Sequence, residues 1–376
     1  MIKSIKIRLI PTKEQEKLMF KSVGVARFTY NWGLAKWKEQ YELGEKPNAT
    51  NLKKLFNNSV KKDESYKWLY EVSGQITAQA FRDLSIAFKN FFNGISDYPK
   101  FKTKRKSIKS FYVRHDAIKF EDGKVNIEKI GKVKFKTNYK IPNLSNYTNP
   151  RCKFDGKYWY LTLGFEQDEN QVKLNKDLSV GIDLGIKDLA VINVLDKPIK
   201  NINKTRKMKL LYKRLERLQR KLSRKYEANK SGNKYIKTQN IIKLENKLKI
   251  LYRKIANIRN NHIHQATNKI IKLYPYRIVM EDLNVKGMMK NKHLSKAISR
   301  QGFYEFIRQI KYKCEFNGIE FIQADRFFPS SKKCSCCGGI NPVLKLKDRT
   351  YHCPHCNFII DRDKNASINL ANYQLV

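Results

Sequence analysis

Two pairs of cysteines constrain the folding of this sequence more than any other feature. Cys334 and Cys337 form one Cys-x2-Cys pair, Cys353 and Cys356 form a second, and fifteen residues separate the pairs. Four thiolates at this spacing are typical of a structural zinc site, in which the protein fills every coordination position. The spacing therefore predicts a small finger around one Zn²⁺ ion, with no open position for a substrate.

The other cysteines do not suggest a disulfide framework. Five of the seven cysteines lie between Cys334 and Cys356, whereas Cys152 and Cys314 stand alone. Such clustering favours metal ligation over disulfide bonding. Cys336 lies inside the first pair, and we expect it to be a bystander.

The charge of the sequence indicates a polyanionic partner. Lysine and arginine number 78 against 34 acidic residues, which gives a net charge of +44 over 376 residues. So large an imbalance repels itself in a compact fold unless a polyanion neutralises it, and nucleic acid is the first candidate. Lysine that merely keeps the protein soluble, or an anionic membrane surface, is the alternative. No apolar run approaches the ~20 residues that a membrane span needs, and no signal peptide is visible, so we expect a soluble, intracellular protein.

Hydropathy patterns divide the first 170 residues into strands and helices. Residues 2–9 alternate between apolar and polar and predict a strand, and Thr12 with Gln15 forms a capping-box signature for a helix. The pattern then stays helical and aromatic-rich to about residue 95, and core packing accounts for most of these aromatics. Residues 110–168 switch to period two with Asp-Gly turns, which predicts a small barrel or sandwich that the helical block interrupts.

Two segments are candidate phosphate-binding surfaces. One is a basic strip interleaved with aromatic residues after residue 99, and the other is a helical hairpin over residues 201–260 that carries 20 basic and 3 acidic residues. A solvated loop and a plain antiparallel coiled coil are the respective alternatives. The candidate contacts are Lys100, Lys102, Lys104, Arg105, Lys213, Arg214 and Arg217.

Carboxylates follow or interrupt apolar segments at three places. Asp183 lies on a strand between two glycines, which leave open space around its carboxylate. Either Glu281 or Asp282 ends a buried strand, where sites of open α/β sheets gather. Either Asp361 or Asp363 begins a short terminal helix. A turn, a helix start and a helix cap are the ordinary structural roles for these acids.

Carboxylates that converge on one point repel each other unless cations lie between them. Two Mg²⁺ or Mn²⁺ ions about 4 Å apart would then activate a water and stabilise the leaving 3′ oxygen of a phosphodiester. The sequence contains no Ser-His-Asp order, Walker loop or dinucleotide-binding loop that competes with this arrangement.

Four blocks together resemble the TnpB (OrfB) family, which is encoded by bacterial and archaeal insertion sequences and related to compact type V CRISPR effectors. The blocks are GIDLGIKDLAVI, IVMEDLNVKGM, ADRFFPSSKKCSCCGG and CPHCNFIIDRDKNASINLA. The resemblance runs over essentially the whole chain and is most specific from residue 178 onward. It implies that Asp183, Glu281 and Asp363 are the catalytic acids, the last of them as the acid of a D-x-N unit. It also matches Cys334, Cys337, Cys353 and Cys356 to the family's zinc ligands.

The resemblance implies a multidomain α+β fold. Its expected parts are a RuvC-like RNase H core split in sequence, a zinc ribbon inserted before the last acid, and a wedge barrel that carries an inserted helical recognition lobe. The implied boundaries are 1–10 and 106–170 for the barrel, 11–105 for the lobe, 171–330 and 361–376 for the core, about 203–268 for the inserted hairpin, and 331–360 for the ribbon.

The implied function is an RNA-guided DNA endonuclease of a transposable element, which cuts double-stranded DNA beside a short motif while a guide RNA reads the sequence. A catalytically silent RNA-guided regulator and a transposase in the strict sense are the alternatives. The intact acids argue against the first, and no Tyr-plus-HUH arrangement supports the second. The resemblance also implies a prokaryotic, cytoplasmic, nucleoid-associated protein. The oligomeric state stays open.

Overall fold

The chain forms two compact units in a computed structural model, which describes residues 2–105, 107–138, 141–142, 144, 147–168, 172–345 and 348–374. The first unit covers residues 1–167 and the second covers residues 168–376. All the candidate catalytic acids and the four candidate zinc ligands lie in the second unit.

An antiparallel sheet forms the frame of the first unit. Its strands are β1 (Ile2–Ile10), β2 (Lys109–Tyr112), β3 (Lys119–Glu121), β4 (Lys124–Ile127), β5 (Gly131–Lys136), β6 (Thr148–Phe154) and β7 (Trp159–Glu166). The spatial order is β2-β6-β7-β1-β5-β4-β3, and the sheet curls into a half-barrel. The predicted N-terminal strand thus lies at the centre of this sheet, and the two Asp-Gly pairs form turns of its hairpins, β3–β4 and β6–β7.

Three helices lie between β1 and β2 in sequence: α1 (Lys13–Glu42), α2 (Ala49–Asn58) and α3 (Gly74–Phe92), with a 3₁₀ turn at Glu64–Glu71. The predicted capping box is present, because Thr12 accepts a hydrogen bond from the Gln15 backbone and the Gln15 side chain accepts one from the Thr12 backbone. Most of the aromatic residues are buried or half-buried, as expected, with Phe56, Phe81 and Phe88 buried between the helices.

A five-stranded mixed sheet organises the second unit. The strands of this unit are β8 (Asn175–Leu184), β9 (Asp188–Ile192), β10 (Ile199–Lys200), β11 (Lys230–Ser231), β12 (Lys234–Tyr235), β13 (Pro275–Glu281), β14 (Glu320–Ala324), β15 (Thr350–His352) and β16 (Ile359–Asp361). The sheet order is β10-β9-β8-β13-β14. Strands β8, β13 and β14 run parallel, and β9 is antiparallel to both of its neighbours, β8 and β10.

Helices cover and extend this sheet. They are α4 (Arg206–Glu227), α5 (Gln239–Ile271), α6 (Val285–Met288), α7 (Ser295–Gln301), α8 (Phe303–Asn317) and α9 (Arg362–Ala371). The predicted helical hairpin is α4 with α5, and its apolar seam buries Met208, Leu215, Leu251 and Ile255. Among the described residues, no helix is both long enough and apolar enough to cross a membrane.

Candidate active site and metal centre

Two adjacent parallel strands carry the first two predicted acids to the same sheet edge. Ile182 of β8 lies opposite Met280 of β13 in the parallel register. Asp183 and Glu281 are the next residues along these strands. Because β8 and β13 run in the same direction, both carboxylates come at their carboxyl ends, where open α/β sheets hold their sites.

Helix α9 approaches β8 so closely that no side chain fits between them. A Cβ added to Gly181 would overlap the backbone oxygen of Ser367 and the backbone nitrogen of Ala371. The Ser179 hydroxyl donates a hydrogen bond to the Ala371 carbonyl at 2.6 Å, and the Arg277 guanidinium donates to the same carbonyl at 2.8 Å. These contacts fix α9 against the strand that carries the first acid.

Three consecutive residues at the start of α9 make three different kinds of contact. Asp363 lies close enough to Asp183 for its charge to shift the titration of that carboxyl group. The Lys364 ammonium donates to carbonyls at and after the end of β9, at 2.6 Å for Asn193. Asn365 is fully buried, donates to the Lys333 carbonyl at 2.7 Å and accepts from the Ser335 backbone at 3.0 Å. The Asp-Lys-Asn run thus joins the acids, the sheet and the first cysteine pair.

The acids form a cluster of like charges. Burial raises the pKa of Asp183 well above its usual value, and the neighbouring charges of Glu281 and Asp363 raise this pKa further, while Arg362 opposes them. The carboxylate of Asp183 receives no hydrogen bond from the residues that the structure describes. Oxygen donors that repel each other in a recessed position suit a hard divalent cation such as Mg²⁺ or Mn²⁺.

The structure also gives each alternative acid a partner of its own. Asp282 forms an ion pair with Arg326. Asp361 is the N-cap of α9 and accepts hydrogen bonds from the backbone of Asp363 and Lys364, each at 3.0 Å. Asp361 thus has the capping role that was open to it, whereas Asp282 does not start a helix, because α6 begins at Val285 with Asn284 as its N-cap. The assignment of Asp183, Glu281 and Asp363 as catalytic stays a prediction.

Two polar residues beside the cluster were missed at the level of sequence. The hydroxyl of Ser330 is buried and donates to Glu281, and the Asn369 amide donates to the Ser330 carbonyl at 2.7 Å. The Arg349 guanidinium lies 3.8 Å from the Asp363 carboxylate and is half exposed. No local sequence pattern indicates a role for Ser330 or Arg349, because only tertiary folding brings them close to the acids.

The four predicted zinc ligands come together. The sulfur atoms of Cys334, Cys337, Cys353 and Cys356 all lie within 4.8 Å of one another, and Cys336 is outside the group. Sulfur separations of 3.7 Å for Cys334–Cys356 and 3.6 Å for Cys337–Cys353 suit a single tetrahedral ion with Zn–S bonds of about 2.3 Å. Tyr351 is buried beside Cys334 and Cys353 and donates to the Lys332 carbonyl at 3.1 Å.

The predicted nucleic-acid contacts differ in their surroundings. On α4, the side chains of Lys213, Arg214 and Arg217 are all exposed. In the first unit, Lys100, Lys104 and Arg105 are exposed, whereas Lys102 is half-buried with its ammonium 3.6 Å from the centre of the Tyr30 ring. Burial lowers the pKa of Lys102, and the charge of Asp83 opposes this effect. Lys102 thus contributes to the packing of its own unit.

Three family models match successive parts of the chain. A model described as a probable transposase matches residues 163–292, a Cas12f1-like TNB domain matches residues 303–370, and a helix-turn-helix domain matches residues 1–46. In this structure, residues 1–46 contain β1 and the single long helix α1. The first two matches enclose the acids and the cysteines.

Known relatives are similar along the whole chain. A "Putative RNA-guided DNA endonuclease" of Streptomyces pristinaespiralis is 30% identical over 375 residues, which cover 98% of this chain and 88% of the relative. The "Putative RNA-guided DNA endonuclease InsQ" of Escherichia coli K12 is 26% identical over 98% of this chain and 91% of the relative. The cryo-EM structure of a Cas12f1-sgRNA-target DNA complex shares the fold, with a TM-score of 0.60, 16% identity and 99% coverage of both chains. The chain belongs to the TnpB (OrfB) family.

Proposed function

We propose that this protein is an RNA-guided, divalent-metal-dependent DNA endonuclease of a transposable element, with a RuvC-like nuclease core. The observation that carries the proposal is that Asp183 and Glu281 lie at the carboxyl ends of paired parallel strands, with the charge of Asp363 near Asp183, in a chain that is similar to named RNA-guided endonucleases over nearly its full length. A net charge of +44 supports nucleic-acid partners for such a protein, here a guide RNA and a double-stranded DNA target.

The three carboxylates would hold the catalytic metal ions. When bound, two Mg²⁺ ions supply an activated water and stabilise the charge that develops on the leaving oxygen of the phosphodiester. Glu281 is oriented for this role by the Ser330 hydroxyl, and Asp363 is fixed by the docking of α9 on Gly181. The half-exposed guanidinium of Arg349 lies beside Asp363, where it can pair with a phosphate of the bound strand.

The four cysteines would hold one structural Zn²⁺ ion in a zinc ribbon over residues 331–360. A closed four-thiolate shell leaves no position for substrate, so the ribbon would act by positioning its neighbours. Asn365 and Asn369 donate to the Lys333 carbonyl at 2.7 and 2.6 Å, which ties the first knuckle to α9. The ion would therefore support the helix that carries Asp363 without taking part in the chemistry.

The guide RNA, and not the protein, would recognise the target sequence. Base pairing with a guide RNA specifies the target, and the protein contributes shape recognition and phosphate contacts. The exposed face of α4, with Lys213, Arg214 and Arg217, supports backbone contact of this kind. The implied wedge barrel, recognition lobe and core boundaries belong to the same proposal.

The test is cleavage programmed by the RNA that copurifies with the protein. That RNA is sequenced, a plasmid library is built with its guide complement beside randomised flanks, and cutting is measured with Mg²⁺ and with EDTA. The expected result is a double-strand break beside one flanking motif, abolished by EDTA. Asp183→Asn should lower the cleavage rate on the order of a thousandfold or more and still bind the target.

Two neighbouring acids serve as matched controls for the catalytic assignment. Asp282→Asn and Asp361→Asn remove the same charge within two residues of Glu281 and Asp363 but leave the proposed ligands in place. Both should cut far better than Glu281→Gln and Asp363→Asn. A protein that copurifies with no RNA, or an Asp183→Asn variant that cuts at the parent rate, would overturn the proposal.

A further inference from the structure

An aromatic ring projects into solvent from the loop that follows β14. Phe327 is 87% exposed, more than any other large apolar side chain among the described residues. Its neighbour Phe328 is instead packed against Tyr373, with ring centroids 4.9 Å apart in an edge-to-face arrangement. Two adjacent phenylalanines therefore have opposite environments.

The backbone around Phe327 is held in place. The Asp325 carboxylate accepts a hydrogen bond from the Phe327 backbone at 2.7 Å, and the Asp325 carbonyl accepts one from the Phe328 backbone at 3.1 Å. The Asp325 backbone in turn donates to the Tyr373 hydroxyl at 3.2 Å. Because these hydrogen bonds hold the turn, its backbone loses little conformational freedom when a ligand covers the ring.

The same loop contacts the end of the strand that carries the second acid. Arg326, immediately before the ring, pairs with Asp282, and Ser330, three residues after it, donates to Glu281. Phe327 thus lies between a residue that pairs with Asp282, next to Glu281, and a residue that contacts Glu281 itself. This places the turn beside the second acid of the candidate active site.

We propose that Phe327 stacks on an unpaired base of the DNA strand whose phosphodiester lies at the acids. The proposal rests on the proposed function and adds a base-binding position to it. An aromatic face stacks on any base, so this contact would hold a strand without reading its sequence, as a guided nuclease requires. A base inside a duplex already stacks on its neighbours, so the contact favours a single-stranded segment.

The test measures single-strand binding in an Asp183→Asn background, where nothing is cut. The protein, with its copurified RNA, is titrated into an oligothymidylate that carries one 2-aminopurine, over a range of salt concentrations. Phe327→Ala should weaken binding by about 5- to 150-fold and abolish the stacking-dependent change in 2-aminopurine fluorescence. The slope of log affinity against log salt should stay unchanged, since a phenyl ring neutralises no phosphate.

Substitutions at the same position separate stacking from other causes. Phe327→Trp should restore both binding and the fluorescence change, whereas Phe327→Leu, which keeps apolar surface without a π face, should not. Tyr274→Ala removes an aromatic side chain that is 38% exposed just before the opposite end of β13, and it should bind as the parent does. Equal zinc content and thermal stability of all variants would exclude misfolding.

The inference can fail while the nuclease proposal survives. If Phe327→Ala binds the oligothymidylate as tightly as the Asp183→Asn parent does, the ring has no role with DNA. If Phe327→Leu equals Phe327→Trp, the position is an apolar contact, such as one for a protein partner, and the stacking proposal is wrong. Loss of programmed cutting in the parent protein would instead contradict the proposed function.

Discussion

Gly181 is the residue at which the candidate site depends on the absence of a side chain. The backbone of α9 occupies the space that a Cβ would need, and the clash is with backbone atoms of Ser367 and Ala371, which cannot rotate away. The flanking glycine of the sequence pattern thus leaves room for a helix, not for a ligand. Because side chains two residues apart on a strand share a face, Asp183 lies on the same side of β8 as α9, and a metal ion would be held there, beside the start of the helix that carries Asp363.

Gly181→Ala should displace α9 and with it Asp363. We expect a loss of about 1–3 kcal/mol in stability, typical of overpacking. The cleavage rate should fall by more than the loss of folded protein alone would explain. Gly24→Ala is the control, because a Cβ at this helical position meets nothing within 4 Å. Urea unfolding and the programmed cleavage assay measure the two effects, and equal activity of both variants would contradict the docking argument.

Lys313 is a buried cation in the interface between α5 and α8. Its ammonium donates to the Thr267 hydroxyl at 2.5 Å, and burial lowers the pKa of Lys313 to about 8, which the charge of Glu305 partly opposes. His264, also near this lysine, has its pKa lowered by burial and by the charge of Lys313. A charged group is thus held where the neutral form is easier to accommodate.

Stability should therefore rise with pH as Lys313 loses its proton. Between pH 8 and about 10.5 the unfolded state binds more protons than the folded state, so the free energy of unfolding should increase by up to about 3 kcal/mol from this residue. Lys313→Met should lack this increment. Denaturant unfolding of both proteins across this range measures the difference, and parallel pH profiles would contradict the assignment.

At the scale of elements, α9 connects the sheet, the cysteine ribbon and the last acid. Its first turn is held by Lys364, which donates to the carbonyls of Ile192, Asn193 and Leu195 at 3.2, 2.6 and 2.9 Å. These carbonyls belong to the end of β9 and the turn after it. One ammonium therefore satisfies three backbone acceptors and sets the position of the helix start.

Replacing Lys364 with methionine should loosen the helix start without breaking the fold. Hydrogen bonds from a charged donor contribute about 1.5–3 kcal/mol each, so we expect a loss of about 2–3 kcal/mol after partial rescue by water. Cleavage should fall at least tenfold while zinc content stays the same. Lys364→Arg, which keeps the charge and donors, should retain more activity, and a Met variant as active as the parent would refute the positioning role.

The ribbon should transmit metal loss to the nuclease through the same helix. Cys353→Ser should lower the zinc content from one ion per chain towards zero and reduce cleavage, because Asn365 and Asn369 hold α9 to the first knuckle. Cys336→Ser, in the same segment but outside the sulfur cluster, should keep both zinc and activity. Elemental analysis and cleavage rates measure the outcome, and full activity without zinc would contradict the coupling.

At the scale of the whole molecule, charge dominates and is unevenly distributed. Residues 201–260 alone contain 20 basic and 3 acidic residues, and they form a hairpin whose apolar seam is narrow. Such a hairpin buries little apolar surface and exposes a long basic face. Its contribution should therefore appear in binding to a polyanion more than in folding.

The salt dependence of nucleic-acid binding should show whether this basic face contacts phosphates. Replacing Lys213, Arg214 and Arg217 with glutamine should reduce the slope of log affinity against log salt by up to about 2–3, since each neutralised phosphate contributes about 0.7–0.9. Arg214→Lys with Arg217→Lys keeps the charge and should keep the slope. Fluorescence anisotropy with the copurified RNA measures both, and an unchanged slope in the glutamine variant would exclude the face as a contact.

Much of this arrangement could be predicted from local patterns, because those patterns report local causes. The capping box at Thr12, the Asp-Gly turns and the hairpin seam depend on residues near in sequence, and the cysteine spacing follows from the geometry of one ion. The half-barrel needs long-range pairing, and the pattern left open whether residues 110–168 form a barrel or a sandwich. The packing of Lys102 over Tyr30 and the contacts of Ser330 and Arg349 arise only in the folded chain, so no local signal could indicate them.

The separation of the acids along the chain has a consequence for biosynthesis. Strands β8 and β13 leave the ribosome with Asp183 and Glu281 while the ribbon and α9 are still untranslated, and domains generally fold in the order of their synthesis. If the three acids form the proposed catalytic site, a nascent chain at this stage carries two of them and is not yet active. The protein would become able to cleave DNA only at a late step, after the ribbon has folded and α9 has packed against Gly181.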